Sequence, residues 1–138
     1  RGLLPVAPEH PGLHHYIIHG YEGSSFAADA WPSCEAYTRL VPNIPHALHM
    51  PGHIYAQTGK LKEAQAAFEA CMRLELNYMS GDKEYGNGHH GHNVHFLAMV
   101  YSMDGQKEKA LAAAKHLLGF GDNPNDAAKS DTVYGAYR

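Results

Sequence analysis

Cysteine is nearly absent from this chain of 138 residues: Cys34 and Cys71 are the only two, they lie far apart, and neither belongs to a CxxC pair. A zinc knuckle and a dense disulfide framework are therefore excluded. Long apolar runs are lacking too, because His, Gly or Pro interrupts each one well before the roughly 18 residues that a membrane-spanning helix requires. Basic clusters are also missing. The 11 Lys and Arg are scattered among 14 Asp and Glu for a formal net charge of -3, so the electrostatic footprint of a nucleic-acid binder is not there. With 44% hydrophobic and 18% charged residues the chain is too apolar for intrinsic disorder, and its length suits a single domain.

The usual catalytic patterns are missing as well. No HExxH occurs, so paired histidines lack the neighbouring Glu that serves a metalloprotease as general base. Gly119 to Gly121 is too short to cradle a phosphate, and Ser24-Ser25 reads as a turn or cap rather than a nucleophile. Cys34 and Cys71 fall on packing faces of helices, where a small inert thiol is expected. An enzyme built here would have to use metal-bound water, with Glu22 or a tyrosine moving the proton.

What the chain has is histidine, 12 residues of it. An ordinary imidazole titrates near pH 6.5, so mild acid makes the surface strongly cationic. The histidines recur in register. Pro11, His15, His19 and Tyr21 return 34 residues later as Pro45, His49, His53 and Tyr55. A third copy carries His46, His49, Tyr55, Gly59 and Ala64 to His92, His95, Tyr101, Gly105 and Ala110, after a glycine- and histidine-rich insertion over 79–91.

Each copy reads as two helices. Prolines 11 and 45 suit a first helical turn, where a missing N–H costs nothing. Glycines at 59 and 105 suit the turn between helices, and the apolar residues that follow keep a helical period. The spacing predicts helices near 11–22, 45–58, 60–77, 93–104 and 106–119. Asn93 is expected to cap the fourth of these, and Leu111 and Leu118 to join Ala110, Ala114 and Leu117 on the apolar face of the fifth. Tyr55, Phe68, Leu97, Tyr101, Ala110 and Leu117 are expected in the core. Trp31-Pro32 should either delay or kink the second helix of the first copy. Pro51 should kink its helix and leave the Ala47 carbonyl without its usual partner. The stretch from Asp82 to Gly91 reads as a loop with His89 and His90 on it, and 126–129 as the start of a seventh helix or a tail.

A period of 34 in helix–turn–helix units is the tetratricopeptide signature, and Gly52, Tyr55, Gly59, Ala64 and Phe68 stand at its consensus spacing. The strings HPGLHHYIIHGYE, HALHMPGHIYAQTG and HNVHFLAMVYSMDG resemble the motifs of histidine-rich bacterial tetratricopeptide-repeat proteins. The resemblance covers roughly residues 9 to 120. It implies an all-α array of helical hairpins, an α-solenoid of about three repeats (11–44, 45–78 and 91–122) within one domain. Such an array is expected to serve as a scaffold that presents a concave, histidine- and tyrosine-lined groove to a protein, peptide or small ligand, while the charge distribution and the short apolar runs argue against nucleic acid and membrane. The chain opens on Arg1 without Met and reads as a fragment of a longer protein, so a bacterial cytoplasm and a periplasm are both compatible.

On a helix, residues three or four apart share a face, which pairs His15 with His19, His49 with His53, His46 with His49, and His92 with His95. Together with Tyr16 and Tyr21 these are the candidate ligand-binding residues, and His15, His49 and His95 are expected to form a ladder on neighbouring helices. Three uses remain open. The imidazoles can satisfy one another in a polar layer. His15, His19, His49, His53 and His95 can hold Zn, Cu or Ni, for which an i, i+4 pair is half a site. Partly protonated rings can bind an anionic peptide or small acid.

Overall fold

The computed structural model describes residues 2–82 and 88–119, and among these every regular element is helical. Six α-helices follow in order: α1 (Pro11–Tyr21), α2 (Trp31–Leu40), α3 (Pro45–Gln57), α4 (Leu61–Gly81), α5 (Gly88–Met103) and α6 (Lys107–Gly119), with a short 3-10 turn at Ala27–Ala30 before α2. No described helix is long and apolar enough to cross a membrane. The segment 126–129 lies outside the described residues.

Proline starts three of the helices: α1 and α3 open on Pro11 and Pro45, and Pro32 sits in the first turn of α2. Trp31-Pro32 thus delays the helix rather than kinking it. Turns after α3 and α5 close identically. Gly59 (φ 78°) and Gly105 (φ 72°) adopt the left-handed conformation. The N–H groups of Lys60 and Gln106 then reach back 2.8 Å to the carbonyls of Tyr55 and Tyr101, while Gly59 and Gly105 donate to Ala56 and Ser102. This is the Schellman closure, and a side chain at either glycine would be strained.

The chain divides into two compact units, residues 1–70 and 71–138. In the first, α1 packs on α2 and α3, and α2 packs on α3. Their core joins Ile18, Cys34, Tyr37, Met50 and Ile54. Gly52 of α3 lets the Phe68 ring of α4 lie on the helix backbone: a Cβ at residue 52 would stand 2.5 Å from that ring. Pro51 does deprive the Ala47 carbonyl of an N–H, but that oxygen is not left open. The Thr38 hydroxyl lies 3.4 Å from it, and 3.1 Å from the Cys34 carbonyl. Trp31 donates its indole N–H to the Thr58 hydroxyl at 3.1 Å, joining the start of α2 to the end of α3.

In the second unit α5 packs on α6, with Val94, Leu97, Val100, Tyr101 and Leu117 buried. Four expectations need correcting here. Helix α5 begins at Gly88 rather than near residue 93, so His89 and His90 belong to a helical turn. Consequently Asn93 is no cap; it is fully buried on the face of α5 that carries His90, Val94 and Leu97. Leu111 and Leu118 are half exposed, because they stand one residue, about 100° of helix rotation, off the stripe through Ala110, Ala114 and Leu117. Tyr55 and Ala110 are only partly buried, whereas Phe68, Leu97, Tyr101 and Leu117 are core residues.

Candidate functional site

Histidines of α1 and α3 converge in the first unit. His15 Nε2 lies 3.1 Å from His46 Nε2, and the His19 ring stands 4.6 Å from that of His15. One ring nitrogen from each of His15, His19 and His46 lies within 4.8 Å of the other two. On the other side of His46, His49 is buried and its Nε2 meets His53 Nε2 at 2.7 Å. Glu22, just past the end of α1, receives His53 Nδ1 at 3.0 Å and lies 3.5 Å from His19 Nδ1. The rings of His46 and His49 are 6.2 Å apart, so five imidazoles and one carboxylate close a circuit between two helices.

The proton positions follow from the partners. A carboxylate only accepts, so His53 donates its Nδ1–H to Glu22, and its Nε2 lone pair accepts the Nε2–H of His49. His15 stacks with Tyr16 and with Tyr37, with ring centroids at 5.5 and 5.4 Å. Burial, and then the charge of His19, push the His15 imidazole below its ordinary value of 6.5, so its neutral form is favoured. A neutral ring keeps a lone pair for a metal or a donor. Tyr16 is 74% exposed, and with Leu13, Ile17 and Tyr21 it borders a cavity of about 560 Å³.

A second cluster lies in the second unit, on α4, α5 and α6. Glu75 is fully buried at the position where the apolar period of α4 (Ala64, Phe68, Cys71) calls for a hydrophobic residue. One of its oxygens meets His89 Nδ1 and the other lies 3.0 Å from His90 Nδ1. His90 Nε2 in turn faces His116 Nε2 at 3.1 Å. By the same proton logic His90 donates its Nδ1–H to Glu75, and one proton is shared between the Nε2 atoms of His90 and His116. Burial alone would raise the Glu75 carboxyl, but its hydrogen bonds from His89 and His90 and their charges outweigh that and hold it below its ordinary value. Burial, then the Glu75 charge and a hydrogen bond to it, push the Cys71 thiol well up. Burial likewise pushes Cys34 up to about 12. Both thiols are buried and protonated.

The ladder from His15 to His49 is not what forms in the first unit: His46, one turn earlier on α3, meets His15, while His49 turns to His53 and Glu22. His92 and His95 are on α5, His92 exposed and 4.9 Å from the Phe96 ring, His95 partly buried with its ring 5.4 Å from Phe96. Sequence reasoning passed over His14, Glu75 and His116. His14 is buried, with Nε2 2.8 Å from the Pro8 carbonyl and Nδ1 3.2 Å from the Ser33 hydroxyl, and it ties α1 to α2. A signal for Glu75 was present: a carboxylate on an apolar stripe, four residues after a cysteine.

Helix pairs turned on left-handed glycines, at Gly59 and Gly105, are the pattern of a helical-repeat protein. The tetratricopeptide repeat family model matches residues 45–78, so α3 with most of α4 is a tetratricopeptide repeat. Such repeats build binding surfaces for other proteins, which places the chain among interaction scaffolds. Comparison with curated proteins and with solved structures returns no match.

Proposed function

We propose that the chain is a scaffold that offers the histidine- and tyrosine-bearing surface of α1 and α3 to a peptide segment of a partner protein. The observation that carries this reading is Tyr16: a ring 74% exposed, stacked on His15, at the rim of a cavity bordered by Leu3, Leu13 and Ile17. Exposed amphipathic aromatics beside apolar hollows are typical binding anchors. The electrostatics select the ligand. His15 favours its neutral form and Glu22 adds negative charge, so the surface suits apolar side chains and hydrogen-bond donors rather than an anionic peptide. Peptides selected from a displayed random library against tag-free protein should lose at least about tenfold in affinity for Tyr16→Ala and His15→Ala. Binders indifferent to both substitutions would put the ligand face elsewhere.

One observation favours a second reading, a transition metal on His15, His19 and His46. Two nitrogens on a tetrahedral zinc stand about 3.3 Å apart, close to the His15–His46 separation of 3.1 Å. Zn, Cu and Ni all suit an all-imidazole site. Calorimetric titration of tag-free protein with zinc chloride should show uptake that His46→Ala removes. Uptake unchanged in that variant defeats the reading.

A further inference from the structure

We infer that Cys71, Glu75 and His89 form a transition-metal site for a zinc-like divalent cation, separate from the surface of α1 and α3 and independent of its proposed role. Cys71 and Glu75 are four residues apart on α4 and so share a face, and His89 comes from the first turn of α5. One ligand atom from each, a sulfur, a carboxylate oxygen and a ring nitrogen, lies within 4.8 Å of the other two. Sulfur, nitrogen and oxygen together are a donor set for zinc rather than for magnesium or calcium.

His89 Nδ1 points its hydrogen at the Glu75 carboxylate, and the buried Cys71 sulfur lies within 4.8 Å of both ligand atoms. A divalent cation where the three ligand atoms converge displaces the protons on two of them, and the exchange balances. The thiol gives one proton to solvent, and His89 gives up its Nδ1 proton, by release to solvent or by transfer to Nε2, on a side chain 31% exposed. Thiolate and carboxylate then offset the two positive charges, so no net charge is buried. The cation also reverses the electrostatics that keep Cys71 a thiol.

The supporting groups are already built. Glu75's other oxygen stays with His90 Nδ1 at 3.0 Å, and His90 is oriented by His116 at 3.1 Å. Buried partners of this kind fix the direction of a ligating carboxylate. The part-exposed His89 provides the way in, and three protein ligands leave a fourth position for water.

Cobalt chloride titrated into reduced, tag-free protein tests the site, because thiolate bound to cobalt(II) gives a near-ultraviolet charge-transfer band that an all-imidazole site cannot give. One equivalent should produce the band in the wild type and in Cys34→Ser and His46→Ala, and none should appear in Cys71→Ser. As Cys71 is in the core, His89→Ala is the second variant: its side chain is part exposed, and cobalt affinity should fall at least about tenfold with the helical circular dichroism unchanged. Absence of the band at saturating cobalt in the wild type, its persistence in Cys71→Ser, or unaltered affinity in His89→Ala overturns the assignment.

Discussion

His90 Nδ1 stands 3.0 Å from Glu75 Oε2 with both side chains fully buried. The same relationship joins His53 to Glu22, also at 3.0 Å, and in each case the far nitrogen of the histidine meets a second imidazole, His116 or His49. A carboxylate, an oriented imidazole and a second imidazole thus occur together in each unit. Among the described residues no buried side-chain nitrogen or oxygen lacks a hydrogen-bond partner, which is why histidines can be packed so deeply.

Acid should destabilise the protein. The folded-state values of His15 and His116 are depressed, by burial first and then by the charges of His19 and His90. Around His15 stand Tyr16 and His19 of its own helix, Tyr37 of α2 and His46 of α3. The unfolded chain therefore binds more protons than the folded one below the ordinary value of 6.5. This contribution to stability is complete above that pH and is lost as pH falls through the depressed values, and Glu75 adds a loss of the same sign in stronger acid. The urea midpoint, followed by Trp31 fluorescence and by helical circular dichroism, should fall between about pH 8 and pH 5.5. A midpoint unchanged or raised in acid would contradict the assigned proton pattern.

Gly52→Ala and Gly20→Ala should have opposite signs. An added methyl at 52 meets the buried Phe68 ring at 2.5 Å, whereas at 20 nothing lies within 4 Å. Overpacking at 52 should outweigh the gain in helix propensity and cost about 1–2 kcal/mol net, while Gly20→Ala should gain about 0.4–1 kcal/mol. Thermal midpoints of the two variants check this, and a stabilising Gly52→Ala would refute the α3–Phe68 contact.

Ala64→Leu should cost roughly 1–3 kcal/mol because Ala64 has no exposed surface to yield. Ala110, its counterpart in the third repeat, is only partly buried and should accept Leu at well under half that cost. Chemical denaturation of both variants decides it; equal losses would mean that α6 lies closer to α5 than described.

His14→Phe keeps a ring of similar size but leaves the Pro8 carbonyl and the Ser33 hydroxyl without their partner. A loss of about 1–3 kcal/mol is expected, part of it recovered when Ser33→Ala removes one of the orphaned groups. Additive losses in the double variant would show that the two side chains do not interact.

Much of the fold was legible in the chain because the forces that set it are local. Prolines 11 and 45 start helices through a fixed φ, glycines 59 and 105 end them through a positive φ, and a period of 34 residues repeats the hairpin. Local pattern also puts His15 with His19, and His49 with His53, on shared helix faces. Which of those faces meet is not a local property. It depends on how far one helix slides along another, and that is set by side chains elsewhere, such as the Phe68 ring seated on Gly52. A shift of one turn on α3 brings His46 rather than His49 to His15, and no periodicity records it. The same reason hid Glu75. On the sequence it is a misplaced charge in an apolar stripe, and only the packing of α5 and α6 against α4 supplies His89, His90 and, through His90, His116 to make its burial tolerable.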